Sequence, residues 1–436
     1  VAGHGLPQGA RAGVALNALR ADTFPEQAVR ERARTGAAGA FPCPEEYGHT
    51  LYGADPADRV DGADPIDGLR LVPPVFVPRR LEKLIDLARE PVYADVELAT
   101  VIGGFRSTLP LYVSAFGSTK VASVDLGVAA SAQAGRLGIP LVIGENVMPV
   151  NGYGRVDDED VERSLLGRIR AYAASAGNEF GGVVVQQSTE DADAEVWNIV
   201  YSDPNTRSLL ESGRLAFELK VGQGAKPGLG GMTLIDRAAA TRLAEAYIMD
   251  PVFGAGSDTV LRCSSPGTFT EEILRQQIRL MRNNFPRARI WVKLPPARDI
   301  RSAALVAWEA GADAVTVDGA EGGSGWAPLA FLRHVGLPLG ECLRRIGAVH
   351  PSCLLVSGRM WEGARVAKCL ALGANAVGLG RAALLAVDTD PENGLANLVE
   401  CLALELRMLT SAMGKYHVSE LSCEDVWATP TPRALE

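Results

Sequence analysis

"VSGRMWEGARVAKCLALGANAVGLGR", residues 356–381, joins two short apolar runs through a segment with apolar residues at three- and four-residue steps. The first run ends in Gly358 and Arg359, Gly363 opens the helical segment, and the second run carries Gly378, Gly380 and Arg381. A β-run, a helical crossover and another β-run predict two parallel strands. The same unit recurs upstream. "LYVSAF" (111–116), "PLVIGE" (140–145), "GGVVVQQ" (181–187), "AFELKVG" (216–222), "RIWVKLP" (289–295) and "DAVTVDG" (313–319) precede "CLLVSGR" (353–359) and "AVGLGR" (376–381). Segments such as "EEILRQQIRLMRNNF" (271–285) and "RSAALVAWEAGA" (301–312) between them have helical spacing. Eight such units predict an α/β fold closed as a (β/α)8 TIM barrel. An open doubly wound sheet is the rival, disfavoured because no GxGxxG follows the first run and the glycine signal comes after the last two.

In a closed barrel the site forms at the C-terminal strand ends, and phosphate is often held after strands seven and eight. Gly358, Arg359, Gly378, Gly380 and Arg381 fall there. Backbone N–H groups and the helix opened by Gly363 would meet phosphate oxygens, with arginine adding charge-assisted bonds; ordinary turn glycines are the alternative. "VDGAEGGSGWAP" (317–328) places Gly319, Gly322, Gly323 and Ser324 at the same rim. Its Asp318 and Glu321 are general acids, general bases or solvated loop carboxylates.

"KVGQGAKPGLGG" (220–231) sets Lys220, Gln223 and Lys226 among glycines, and Lys293 lies in "WVKLP". Alternation in "FELKVG" puts Glu218 and Lys220 on one face and Phe217, Leu219 and Val221 on the other, so Lys220 points inward if the apolar face packs on helices. A lysine there needs an anion, either a bound ligand or an internal carboxylate such as Glu218.

The chain has 436 residues, 47% hydrophobic, with a formal net charge of −9 and interspersed signs, a pattern that argues against a nucleic-acid partner. Residues 1–100 read as a helical and irregular extension, with a short helix in "PRRLEKLIDLARE" (78–90). Residues 101–436 read as the barrel, interrupted at about 223–288 by an insertion expected to cover the mouth. No membrane association and a cytoplasmic location are expected, since no run approaches the roughly 18 apolar residues a spanning helix needs. Seven scattered cysteines without CxxC, and five histidines without HExxH, predict reduced thiols and no protein-bound metal.

"KVGQGAKPGLGG" resembles the K-x-x-Q-G-A-K-P-G-x-G-G segment of the synthase domain of glutamate synthase. "VDGAEGGSGWAPL", "RIWVKL" and "ALGANAVGLGRAAL" resemble further segments of that domain in the same order, from about residue 111 to 425. The resemblance implies FMN as cofactor. It further implies that Lys220, Gln223 and Lys226 meet substrate, that Lys293 lies by the flavin pyrimidine edge, and that Gly358, Arg359, Gly378, Gly380 and Arg381 hold the FMN phosphate. Ser114 and Ala115 in "VSAFGS" (113–118) match the strand that runs against the flavin, with Gln187, Gly319, Gly322 and Gly323 as further cofactor contacts. Lys220, Lys226, Glu145 and Asp318 are the candidate catalytic residues.

The departures bear on function. The family's three clustered cysteines are replaced by "RAALLAVDTDPENGLANLVEC", with Cys401 alone, so no iron–sulfur cluster is expected. Leu229 and Met232 stand where the family carries Glu and a substrate-contacting Gln, and no amidotransferase cysteine is visible, so glutamine hydrolysis is not expected. The reading is a glutamate synthase-like FMN oxidoreductase of amino-acid metabolism that acts on a small amino-acid-like or 2-oxo-acid-like anion. Its electrons or amine come from an external source or a partner protein, and a homo-oligomer is allowed. The alternatives are a non-redox FMN-dependent isomerase, to which "GGSGW" is also similar, and a flavin-carrying subunit silent without partners.

Overall fold

The computed structural model describes residues 19–21, 24–40, 65–115, 126–144, 165–188, 194–224, 226–227, 233–244, 248–250, 259–262, 269–323, 331, 334–348 and 350–428. All eight β-runs are strands: β1 (Leu111–Val113), β2 (Leu141–Ile143), β3 (Val183–Ser188), β4 (Leu215–Lys220), β5 (Arg289–Leu294), β6 (Ala314–Asp318), β7 (Cys353–Ser357) and β8 (Ala376–Leu379). They pair in parallel, each with its sequence neighbours, and β8 closes on β1. The expected TIM barrel is the fold of this chain.

Strand alternation sorts the side chains into two cores. Phe217, Leu219, Ile290, Val292, Val315 and Val317 point outward into one large cluster beneath the helices. The alternate residues Tyr112, Val142, Val184, Ala216, Trp291, Ala314, Leu355 and Ala376 fill the barrel interior. A hairpin ahead of the barrel, Thr100–Ile102 with Phe105–Ser107, adds Ile102 and Phe105 to that interior cluster. Trp291 Nε1 donates to the Gly103 carbonyl at 3.0 Å. Gly103 has φ of 53°, and a Cβ there would lie 2.4 Å from the Trp291 ring, so only glycine lets the hairpin tip seat against the indole. The hairpin closes the barrel's N-terminal end, and the site is left to the other end.

The N-terminal segment is stitched to the C-terminal one. Helix Glu26–Thr35 buries Val29 and Ala33 and packs on helices Arg381–Thr389 and Gly394–Ala412, while Arg70–Leu71 pairs antiparallel with Val426–Trp427. Helix Pro78–Leu87, where the sequence predicts one, buries none of its residues and leaves Leu81 and Ile85 in solvent.

After β4 the chain makes the two-residue ladder Gly222–Gln223 with Lys226–Pro227. A three-stranded antiparallel sheet of Thr233–Asp236, Thr259–Arg262 and Met249–Asp250 follows. Helix Glu271–Asn284 then returns to β5, with the Thr270 side chain accepting from Ile273 N at its start. Residues 271–284 are thus the ordinary crossover, and the added structure lies ahead of them.

Candidate active site

Inward positions change character along the barrel axis. The apolar layer around Trp291 gives way toward the C-terminal ends to Gln186, Glu218, Lys293 and Thr316, and then to Ser188, Lys220, Asp318 and Ser357. Register places Gln186 beside Glu218, Ser188 beside Lys220, Lys220 beside Lys293, and Asp318 beside Ser357. Buried polar groups at this density need partners, and the partners are present. Lys293 Nζ lies 2.9 Å from Asp318 Oδ2, with side chains only 6% and 8% exposed. Ser357 Oγ donates to Asp318 Oδ1.

Asp318 is therefore neither a solvated loop carboxylate nor isolated. The internal lysine–carboxylate pair that sequence left open is made by Lys293 with Asp318, while half-buried Lys220 sits at the end of β4. Glu218 lies one layer down and accepts from Gln186 Nε2 and from Thr316 Oγ1 at 2.8 Å. Burial pushes its carboxyl above the ordinary range, opposed by the charge of Lys293. Burial likewise holds the Tyr112 phenol well above its usual value, so it stays neutral.

The rim after β7 and β8 carries two guanidiniums. Arg359 adopts φ of 53° directly after Gly358 at 140°, a left-handed turn that glycine eases. Its Nη1 lies 3.3 Å from Asp67 Oδ2, and its Nε is buried with no hydrogen-bond partner among the described residues. Arg381 opens helix Arg381–Thr389, stacks 4.5 Å over the Phe24 ring and donates from Nη2 to the Glu321 carbonyl at 2.8 Å. Its basicity is lowered by burial and by the charge of Arg359. Gly380 precedes that helix with open space where a Cβ would stand. Two mutually repelling cations, an orphaned Nε and an open helix start fit an anion.

Glycine plays different parts along this rim. A Cβ at Gly378 would lie 2.1 Å from Ser114 Oγ and 2.6 Å from the Tyr112 ring, so its absence lets those side chains pack. At Gly363 the expected anion-binding helix start is filled by the protein itself. Gly363 N donates to Glu405 Oε2, and Arg32 holds both Glu405 oxygens at 2.7 and 2.8 Å. That corrects the phosphate reading of the Gly363 helix and leaves the Gly380 end as the open one. Gly319 and Gly322 form a tight turn, Gly322 N donating to Gly319 O at 2.9 Å, and Gly323 runs beside the Arg381 side chain.

Glu321 is likewise structural. Arg365, 1% exposed, donates to Glu321 Oε1 at 2.8 Å, Asp67 Oδ1 at 2.6 Å and the Gly358 carbonyl at 3.0 Å. The Glu321 carboxylate also accepts from Leu339 N. Arg365 and Asp67 carried no sequence signal, because the groups that explain them come from distant parts of the chain.

At the end of β1, Ser114 Oγ is buried beside the Tyr112 phenol, and Ala115 follows it at the mouth. Gln187 is buried near the end of β3, but it shares the outward face with Val183 and Val185 and pairs with outward Leu219, so alternation turns it away from the barrel interior. Gln223 and Lys226 face each other across their ladder. The Gln223 and Lys226 side chains, together with Glu145, Leu229, Met232 and Ser324, lie outside the described residues. Among the described residues no group of three or more His, Cys, Asp and Glu is placed to hold a metal ion, and no helix is long and apolar enough to cross a membrane.

Residues 206–401 match the family described as "Conserved region in glutamate synthase". A glutamate synthase large subunit-like protein of Rhizobium meliloti is 32% identical over 266 residues, taking in 49% of this chain and 59% of the relative. An archaeal-type glutamate synthase (NADPH) of Thermotoga maritima is 32% identical over 180 residues, 39% of this chain and 34% of the relative. The chain thus spans well under two thirds of these relatives' length. Among solved structures, an active chimera of (S)-mandelate dehydrogenase has a TM-score of 0.56 at 18% identity, covering 93% of this chain and 99% of its own. At that identity the likeness is one of fold. With β4 to β8 and their rim inside the matched residues, this chain contains a glutamate synthase-like domain.

Proposed function

We propose that the barrel mouth binds FMN and that the protein is a flavin oxidoreductase acting on an amino-acid-like or 2-oxo-acid-like anion. The observation that carries this reading is the anion-ready rim, where the orphaned Arg359 Nε, Arg381 and the open helix start at Gly380 converge after β7 and β8. The buried Ser114 Oγ beside the Tyr112 phenol, at the C-terminal end of β1, fits the heteroatom edge of a flavin. Bound FMN would supply the hydride chemistry that no side chain here provides.

The chain's own residues divide the remaining work. Arg359, Arg381 and the amides from Gly380 onward hold the phosphate, with Gly358 as the turn that presents Arg359. Ser114 and Lys293 hold the flavin ring, along with backbone from Ala115, Gly319, Gly322 and Gly323. Lys220, Gln223 and Lys226 face the substrate, since two carboxylates need two cationic anchors. Asp318 is a positioning group locked in its ion pair, and Glu145 is the remaining candidate proton carrier. Electrons or amine come from an external donor, for which the NADPH named for the Thermotoga relative is the first to try.

The test is the visible spectrum of purified protein with identification of the released chromophore, followed by turnover with a stoichiometric reductant. Noncovalent FMN and substrate-dependent reductant consumption are expected. A flavin-dependent reaction that consumes no reductant would instead establish the isomerase-like alternative.

A further inference from the structure

The pairing of Lys293 with Asp318 has a consequence for redox poise. Flavin reduction places negative charge on the pyrimidine side, so an isolated lysine there favours the reduced form and raises the midpoint potential. Lys293 is not isolated. Its Nζ is 2.9 Å from Asp318 Oδ2, both side chains are more than nine-tenths buried, and Ser357 Oγ donates to the other Asp318 oxygen. Both Asp318 oxygens are thus engaged, one by Lys293 and one by Ser357. The other titratable groups facing the pair are Glu218, Tyr112 and, next in register, Lys220. Burial keeps the Tyr112 phenol well above its usual value, and it pushes the Glu218 carboxyl up against the opposing charge of Lys293 and the hydrogen bonds from Gln186 and Thr316. The contact ion pair of this layer is therefore Lys293 with Asp318, with half-buried Lys220 next to it in register.

We propose that Asp318 is a positioning residue that sets the flavin reduction potential by neutralising Lys293, keeping it lower than the lysine alone would make it. A pair in contact acts on a nearby group as a dipole, whose field falls off faster than that of a single charge. This inference rests on the FMN reading above and deepens it.

The experiment compares wild type, Asp318→Asn, Lys293→Met and the double variant K293M/D318N. Each is reconstituted with FMN, its FMN Kd is measured, and its midpoint is read by dye equilibration at neutral pH. Asp318→Asn should shift the midpoint upward and Lys293→Met downward, while the double variant, neutral like the native pair, should return close to wild type. If Asp318→Asn fails to fold, the double variant, in which no buried charge is left unpaired, still decides when read against Lys293→Met: a lowered midpoint in Lys293→Met that is restored in K293M/D318N supports the proposal, and a Lys293→Met midpoint equal to wild type overturns it. A double variant far below wild type, or an Asp318→Asn midpoint at or below wild type with FMN bound normally, would overturn the proposal and leave FMN binding intact. Failure of wild type to bind FMN overturns both, and the Kd measurement separates the two cases.

Discussion

Arg365 Nη2 donates to Glu321 Oε1 at 2.8 Å from a side chain that is 1% exposed, and its Nη1 reaches Asp67 Oδ1 at 2.6 Å. One buried guanidinium thus joins the loop after β6, the turn after β7 and the segment ahead of the barrel. Arg365→Met should cost about 3–5 kcal/mol, because it leaves Glu321 uncompensated in a buried setting. Denaturant unfolding reads this directly, and a loss below about 1 kcal/mol would place the pair among solvent-screened bridges.

Arg359→Ala and Arg381→Ala should each weaken FMN binding by about tenfold to a hundredfold, the range expected for a charge-assisted hydrogen bond lost from a phosphate. Flavin fluorescence quenching measures the Kd. The fold should survive both changes, since neither side chain belongs to the barrel interior.

Gly378→Ala should destabilise the protein by about 1–3 kcal/mol, because the new methyl overpacks Ser114 and Tyr112. Displacing Ser114 should weaken FMN binding as well. Thermal unfolding with and without FMN separates the two effects.

Glu218→Gln tests a buried carboxyl whose folded pKa is raised from about 4.5 by desolvation. A raised carboxyl binds more protons folded than unfolded, so stability falls as pH rises from the unfolded value through the folded one. Glutamine removes that penalty. The stability of E218Q relative to wild type should therefore improve from acid toward neutral pH, and a pH-independent difference would contradict the assignment.

Lys226→Ala should raise substrate KM or abolish turnover while leaving flavin content unchanged. Full activity in that variant would remove Lys226 from the substrate site.

The barrel was readable because parallel strands buried on both faces are short apolar runs, and helical spacing between them announces the crossovers. Alternation on "FELK" also placed Lys220 and Glu218 inward, although it could not say that Lys293 and Asp318 would pair, since they sit on different strands. The Gly363 helix misled for a similar reason: the carboxylate that fills its start, Glu405, comes 42 residues later. Asp67 and Arg365 are 298 residues apart, and nothing local marks either as the other's counter-ion.

The central claim is that a flavin phosphate sits at the Arg359–Arg381 rim. Titrating flavin-free protein with FMN and, separately, with riboflavin tests it most directly, because the two ligands differ only in the phosphate. Saturable FMN binding is expected, tighter than riboflavin binding by on the order of tenfold or more, with the difference lost in the R359A/R381A double variant. Equal affinity for the two ligands, or no binding of either, would contradict it.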